Sequence, residues 1–296
     1  MKNLVDSLPL ELAYRYILSR RRAMVMGLTG IVLGISFFII TQAQTSGFEA
    51  FFIRTILGTN GAIRISDRFQ DLDGTVSKVS EDGKLRFVFR SREDARYVEG
   101  IEYPSKLREA LALFPSIAGI SEVLEGAASL DSGSRKHPVH LHGIKLENHL
   151  MVSDLERQII LGGINDFKDN KSGVFVGVRI AQRLRLEPGD RVNLIGGKEE
   201  MKLQVSGIFE TGVSQIDKNR IYLDLSTARS FLGMPSGGSV FQLSMTDPDR
   251  AREVAAQMQE TLGHRVVSWQ EREKVWLDVF RALSISSAIT VSSICL

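Results

Sequence analysis

Val25-Met-Gly-Leu-Thr-Gly-Ile-Val-Leu-Gly-Ile-Ser-Phe-Phe-Ile-Ile40 is almost wholly apolar, and no charged residue occurs in positions 23–48 around it. Roughly 26 uncharged residues at about 1.5 Å each exceed the ~30 Å hydrocarbon core of a bilayer, so the stretch reads as a transmembrane helix with room for some tilt. A cleaved signal peptide would carry an apolar core of about 7–15 residues and a small-x-small cleavage site. This run is longer, and Gln42-Ala-Gln44 is a poor site. A buried core helix would keep a polar stripe, which is missing here. Gly27, Gly30 and Gly34 lie inside the span, where small residues let helices approach closely or simply reflect the higher glycine content of membrane helices.

Orientation follows from charge. Arg20, Arg21 and Arg22 abut the apolar run, Lys2 and Arg15 lie upstream, and a mixed-charge segment begins at Glu49. An arginine at the bilayer centre costs about 2.5–3.5 kcal/mol, so these three anchor the cytoplasmic side and everything from Glu49 onward faces the periplasm or exterior. Before them Leu8, Leu12, Ala13, Tyr16 and Ile17 recur at helical spacing, which reads as an amphipathic helix on the inner face. Residues 282–296 are again uncharged, but about 15 residues are too few to cross. They read as the start of a second span in which the chain stops, as a truncated fragment would. The expected organisation is a cytoplasmic segment at 1–22, a transmembrane helix at 23–48, a periplasmic domain at 49–275 and the second span from 276. Within the domain, subdomains are expected at about 49–170 and 171–268.

The 296 residues carry 37 basic and 35 acidic side chains, a balance that gives no polyanion signal and argues against nucleic acid. The only cysteine is Cys295 in the terminal apolar run, so the soluble portion can form neither a disulfide nor a cysteine metal site. Helical character continues through Glu49-Ala-Phe-Phe-Ile-Arg-Thr-Ile-Leu57 and ends at Gly58, with a turn at Asn60-Gly61; such an extension would couple membrane to domain. Strand patterns follow at 62–65, 85–89 and 139–144, with a helix at 105–114 presenting Leu107, Leu111 and Phe114, and a polar loop at 67–82. A second block has strands at 174–177, 192–195, 201–208, 221–223, 240–245 and 265–268. Its helices fall at 178–186, after Ser226, and from Asp247 or Asp249 to residue 262. This mixture predicts an α+β fold.

His137, His140, His142 and His149 crowd one segment. A zinc site would need three or four convergent ligands, with Glu147 as a further donor; the simpler reading is a polar edge strand carrying solvated histidines. Gly196-Gly197-Lys198 lacks the upstream glycine and following hydroxyl of a phosphate loop and reads as a hairpin turn. No nucleophile elbow, His-Glu-x-x-His pair or dinucleotide fingerprint occurs, and nothing argues for an enzyme.

Several phrases, in order along the chain, resemble one family. They are Ala13-Tyr-Arg-Tyr-Ile-Leu-Ser-Arg-Arg-Arg22, Ser46-Gly-Phe48, Ile56-Leu-Gly58, Val152-Ser-Asp-Leu155, Gly173-Val-Phe-Val-Gly177, Leu186-Glu-Pro-Gly-Asp190, Val205-Ser-Gly-Ile-Phe-Glu-Thr-Gly212 and Ser268-Trp-Gln270. Each is weak alone, but their collinearity resembles the permeases of the lipoprotein-releasing (LolC/LolE-type) ABC transporters in the MacB/FtsX-like superfamily. The resemblance implies a non-catalytic inner-membrane subunit with four spans and a MacB-type periplasmic domain between the first two. Its implied partners are a second permease subunit, as homo- or heterodimer, a cytoplasmic ABC ATPase that binds ATP and Mg, a lipoprotein substrate and a periplasmic carrier. No cofactor is expected in this chain. It further implies that Ile39, Gln42, Ala43, Ser46 and Phe48 line the acyl-chain cavity. The sequence departs from the carrier-recruiting member at Ile195-Gly-Gly-Lys-Glu-Glu-Met201, where an extended hairpin hook would project. Competing readings are a MacB- or FtsX-like permease for another cargo or for cell-wall regulation, a membrane-anchored periplasmic sensor, and an anchored enzyme.

The orientation has a direct check. A cysteine introduced at Lys171, with Cys295 replaced by serine, is expected to react with a membrane-impermeant maleimide added outside intact spheroplasts; labelling only after lysis would invert the topology.

Overall fold

The computed structural model describes residues 21–68, 76–81, 84–89, 101, 103–197, 199–237 and 239–295. The described residues group into two compact units: those up to Phe51 together with those from Lys274, and Phe52–Glu273. The amphipathic segment and Arg20 lie outside the described residues.

The first unit contains most of helix α1 (Arg21–Asn60) and helix α11 (Lys274–Cys295). Among the described residues α1 is the one helix long and apolar enough to cross a membrane. Its side chains from Met24 to Ile40 are largely exposed, including Met26, Leu33 and Phe37, and a helix that is apolar all round without protein cover suits lipid. The hydroxyls of Thr29, Thr41 and Thr45 donate to carbonyls four residues back, which satisfies them without water. Of the three glycines, Gly34 is half-buried, while Gly27 and Gly30 have no neighbour within 4 Å. Helix α11 starts before the uncharged terminal run and carries Lys274, Asp278 and Arg281 in its first turns.

The second unit is built on one ten-stranded mixed sheet. In chain order it comprises β1 (Ile63–Arg68), the separate hairpin β2 (Val76–Glu81) and β3 (Lys84–Phe89), α2 (Pro104–Leu111), β4 (Ile117–Asp131) and β5 (Lys136–Ile144). Then come α3 (Leu146–Leu150), α4 (Leu155–Gln158), β6 (Ile159–Gly162), α5 (Ile164–Asp169), β7 (Gly173–Gly177) and α6 (Val178–Leu184). The remainder is β8 (Arg191–Gly196), β9 (Glu199–Phe209), α7 (Ser214–Asn219), β10 (Arg220–Asp224), α8 (Leu225–Leu232) and β11 (Ser239–Met245). A 3-10 turn (Pro248–Arg250), α9 (Ala251–Leu262), β12 (His264–Ser268) and α10 (Trp269–Arg272) close it. The sheet order is β12-β1-β11-β4-β5-β10-β7-β9-β6, with β8 bridging β4 and β9. Strands from before and after residue 171 are therefore interleaved in one sheet.

Both faces of the sheet are covered, which explains why β7 is buried at every residue and reads as a continuous apolar run. Val174 and Val176 join Leu124, Leu141 and Leu223 on one face. Phe175 joins Phe209 and Tyr222 on the other, stacked on Phe167 at 4.5 Å. Glycines mark where α8 lies close: a Cβ at Gly126 would stand 2.7 Å from Leu232 Cδ2, and one at Gly143 would run into the Ala228 methyl.

Three sequence expectations change. The polar stretch 67–82 contains strand β2, held by six antiparallel pairs with β3. The helix expected over 178–186 stops at Leu184, because Arg185 turns left-handed with φ 57°. The histidine strand β5 is interior, between β4 and β10, so His137 and His142 are buried rather than solvated, and His140 alone of the strand's three is exposed.

Gly143→Val is expected to lower stability by about 1–3 kcal/mol through overpacking against α8, read as a reduced urea midpoint with an unchanged slope.

Candidate functional site

Helix α1 from Phe52 onward belongs to the second unit and is fastened by the domain. Its last turn has no basic residue of its own to meet the negative end of the dipole. The domain supplies them. Arg220 at the start of β10 donates to Asn60 Oδ1 at 2.9 Å, and Arg272 in α10 donates to the Gly61 carbonyl at 3.1 Å. The orphan carbonyls of the turn are met as well: Gly61 N–H reaches Leu57 O at 3.0 Å, and Asp154 N–H reaches Gly58 O at 2.6 Å. Gln158 Nε2 donates to Thr59 Oγ1 at 3.1 Å.

Glycine is needed twice here. Gly61 adopts φ +67° to end the helix, and a Cβ on it would stand 2.7 Å from Leu243 O. A Cβ on Gly58 would meet Asp154 Oδ2. Immediately beyond, Ala62 N–H donates to Leu243 O and Trp269 N–H to Ala62 O, both at 2.8 Å, so both backbone groups of Ala62 are paired where the chain passes from helix into β1.

A polar row extends from this joint across the sheet. Arg64 of β1 grips Glu125 of β4 with two parallel bonds of 2.7 and 2.6 Å. Glu125 pairs in register with His142 of β5, which pairs with Tyr222 of β10. Tyr222 accepts from Arg220 at 3.2 Å, closing the path back to Asn60. His149 of α3 covers the row, its Nδ1 3.0 Å from Ser121 Oγ and its ring 5.5 Å from that of Tyr222.

Both histidines are held neutral. Burial, then the positive Arg220, brings His149 down to about 3. Burial, then Arg220, His149, Arg64 and His140, places His142 well below 6.5. The 3.8 Å between His142 Nδ1 and Glu125 is therefore not an ion pair and is too long for a hydrogen bond. Arg272 is pulled below its ordinary value by burial, against the pull of Glu273. Among the described residues no three histidine, cysteine or acidic side chains are placed to hold a metal ion.

The five residues of the expected acyl-chain cavity are not gathered in the first unit. At about 100° per residue Ile39, Ala43 and Ser46 share a face of α1, and all three are exposed. Gln42 is half-buried and accepts from Ser287 Oγ of α11 at 3.4 Å, whereas Phe48, nearly opposite, packs edge-on to Phe280 at 5.7 Å between ring centres. Arg22 is exposed. Sequence reasoning missed Arg220, Arg272 and Gln158 at the joint, although three of the quoted phrases, ending in Gly58, Leu155 and Gln270, meet there.

The family described as MacB-like periplasmic core domain matches residues 25–261. The chain is 24% identical over 285 residues to the lipoprotein-releasing system transmembrane protein LolC of Xylella fastidiosa (strain Temecula1), covering 90% of this chain and 62% of that protein. It is 23% identical over 240 residues to LolE of Haemophilus influenzae, covering 77% and 51%. The chain thus spans under two thirds of the length of these relatives. Among solved structures, the periplasmic region of MacB from Actinobacillus actinomycetemcomitans aligns with TM-score 0.46 at 16% identity, covering 75% of this chain and 94% of that one. The extracellular domain of the noncanonical ABC-type transporter YknZ from Gram-positive bacteria aligns with TM-score 0.42 at 15% identity, covering 56% and 88%.

The buried histidines give the second unit an acid sensitivity. An unfolded histidine takes up its proton near 6.5 and folded His149 only near 3. Between those values the unfolded state binds the extra proton, so stability is full above pH 6.5 and lost as pH falls. The urea midpoint is expected to drop from pH 7.5 to 5.0, with His149 contributing about 1.4 kcal/mol per pH unit below 6.5. His149→Gln is expected to make that dependence shallower.

Proposed function

Because this chain belongs to the MacB-like periplasmic core domain family, we propose that it is the permease subunit of an ABC transporter that couples ATP hydrolysis inside the cell to release of lipoproteins from the inner membrane. The observation that carries this reading is the fastening of the end of α1 by Arg220, Arg272, Asp154 and Gln158, which suits a part that passes movement of a helix to a folded domain. The similarity to LolC and LolE supports lipoproteins as the cargo. The chain sits in the inner membrane with its N-terminus inside and the second unit in the periplasm. It performs no bond chemistry: ATP and Mg are bound by a separate cytoplasmic ATPase, and a second permease subunit completes the pathway.

In this reading Arg20, Arg21 and Arg22 hold the inner end of α1 at the cytoplasmic face. Ile39, Ala43 and Ser46 offer the acyl chains one face of the helix, with Gln42 at its edge and Phe48 on the opposite side. One feature bears on which permease it is. Strands β8 and β9 pair as far as Gly196 and Glu199, with only Gly197 and Lys198 between them, leaving no length for a hook. This supports reading the chain as the lipoprotein-binding partner or a homomeric permease rather than the carrier-docking subunit.

Depletion of the protein is expected to leave lipoproteins in the inner-membrane fraction, and the intact protein is expected to co-purify with a nucleotide-binding subunit. In reconstituted vesicles, Gly58→Val and Arg220→Gln should keep most ATP hydrolysis but cut lipoprotein release at least tenfold, on the order of 1.4 kcal/mol of coupling. Release at the unsubstituted rate by both variants would remove the joint from the mechanism.

A further inference from the structure

A cavity of about 330 Å³ opens where three segments of the second unit meet: the β4–β5 turn, the end of α6 and the start of β8. Its walls carry Ser132, Ser134, Arg135, Arg185 and Arg191, against a single carboxylate, Asp190. One oxygen of Asp190 is already taken by the backbone N–H of Glu187 at 2.8 Å. Arg135 is pinned by a 2.8 Å bond to the carbonyl of Arg183, in the last turn of α6. Arg185 and Arg191 make no ion pair or side-chain hydrogen bond among the described residues.

Five other arginines of this unit are, by contrast, ion-paired. Arg64, Arg108, Arg229, Arg250 and Arg272 each have a carboxylate oxygen within 3.3 Å. Arg185 is also the one non-glycine residue, among those described, with positive φ. It occupies the helix-ending position that glycine fills with less strain, as Gly233 and Gly263 do after α8 and α9. A strained backbone that presents an uncompensated guanidinium to a cavity is an outlier from which function can be argued.

We propose that this cavity binds a phosphate dianion, met by the guanidinium groups of Arg185 and Arg191 and the hydroxyls of Ser132 and Ser134. Guanidinium forks match phosphate oxygens in geometry and charge. A planar carboxylate would occupy one fork, whereas a tetrahedral phosphate has enough oxygens to meet two arginines and the serines from separate sides. The source proposed is a soluble phosphate or phosphomonoester rather than a lipid headgroup.

The test is calorimetric titration of the full chain in detergent with inorganic phosphate at constant ionic strength, with chloride as control. Saturable binding with Kd below about 1 mM is expected, with Arg185→Gly and Arg191→Gln each weakening it at least tenfold. Arg185→Gly relieves the backbone and should melt no lower than the parent without phosphate, so its loss of binding cannot be a loss of fold. Equal binding by parent and Arg185→Gly, or an effect that chloride reproduces, would overturn the site. So would binding to phosphatidylglycerol vesicles with none to inorganic phosphate.

Discussion

A long helix ends in carbonyls with no partner of their own and a negative dipole end, and burying such an end is costly unless something supplies hydrogens and positive charge. At Asn60 the second unit supplies both. Asp154 gives a backbone N–H, Gln158 bonds the Thr59 hydroxyl, Arg220 takes the Asn60 side chain and Arg272 takes the Gly61 carbonyl. These donors come from α4, β10 and α10, so the helix end is held only when distant parts of the chain are already in place. Gly58 and Gly61 let the backbone come that near; a side chain at either would collide with Asp154 or Leu243.

The polar row beyond the joint shares Arg220 with it. Arg220 and Arg64 give the region a positive character that, added to burial, keeps His142 and His149 neutral. Glu125 is the counter-charge, held by Arg64 through a two-bonded contact. On the other face, Glu122 plays that part for Arg108 and Arg229, with Ser239 as a further donor. Both glutamates sit on β4, which explains how a strand rich in glycine, alanine, serine and glutamate holds the middle of a sheet. Its place comes from packing against its neighbours, not from its own propensity.

That strand shows where reading the sequence fell short. Runs such as Gly173-Val-Phe-Val-Gly177 and Val205-Ser-Gly-Ile-Phe209 were legible as strands because apolar residues dominate them. Ile117–Asp131 was not, although it is the longest strand of the sheet and pairs with β5, β8 and β11. The histidines misled for a related reason: alternation marked a strand correctly but could not say that both its edges are paired and both its faces covered. At the joint, Gly58 and the Asn60-Gly61 turn were visible as a helix end, whereas Arg220 and Arg272 resemble any surface arginine until the fold brings them to it.

Some properties needed no fold. A charge-free run longer than a bilayer is thick, with arginines at one end, carries the expectation of a membrane span and of its orientation through local transfer energies that depend only on residues next to one another. The alternation of short strands and helices likewise set the α+β class. Strand order, the neutral histidines, the left-handed Arg185 and the capture of the helix end are different in kind. Each arises from groups tens to hundreds of residues apart meeting in a low-dielectric interior, where pairing and burial decide energies that no local stretch of sequence contains.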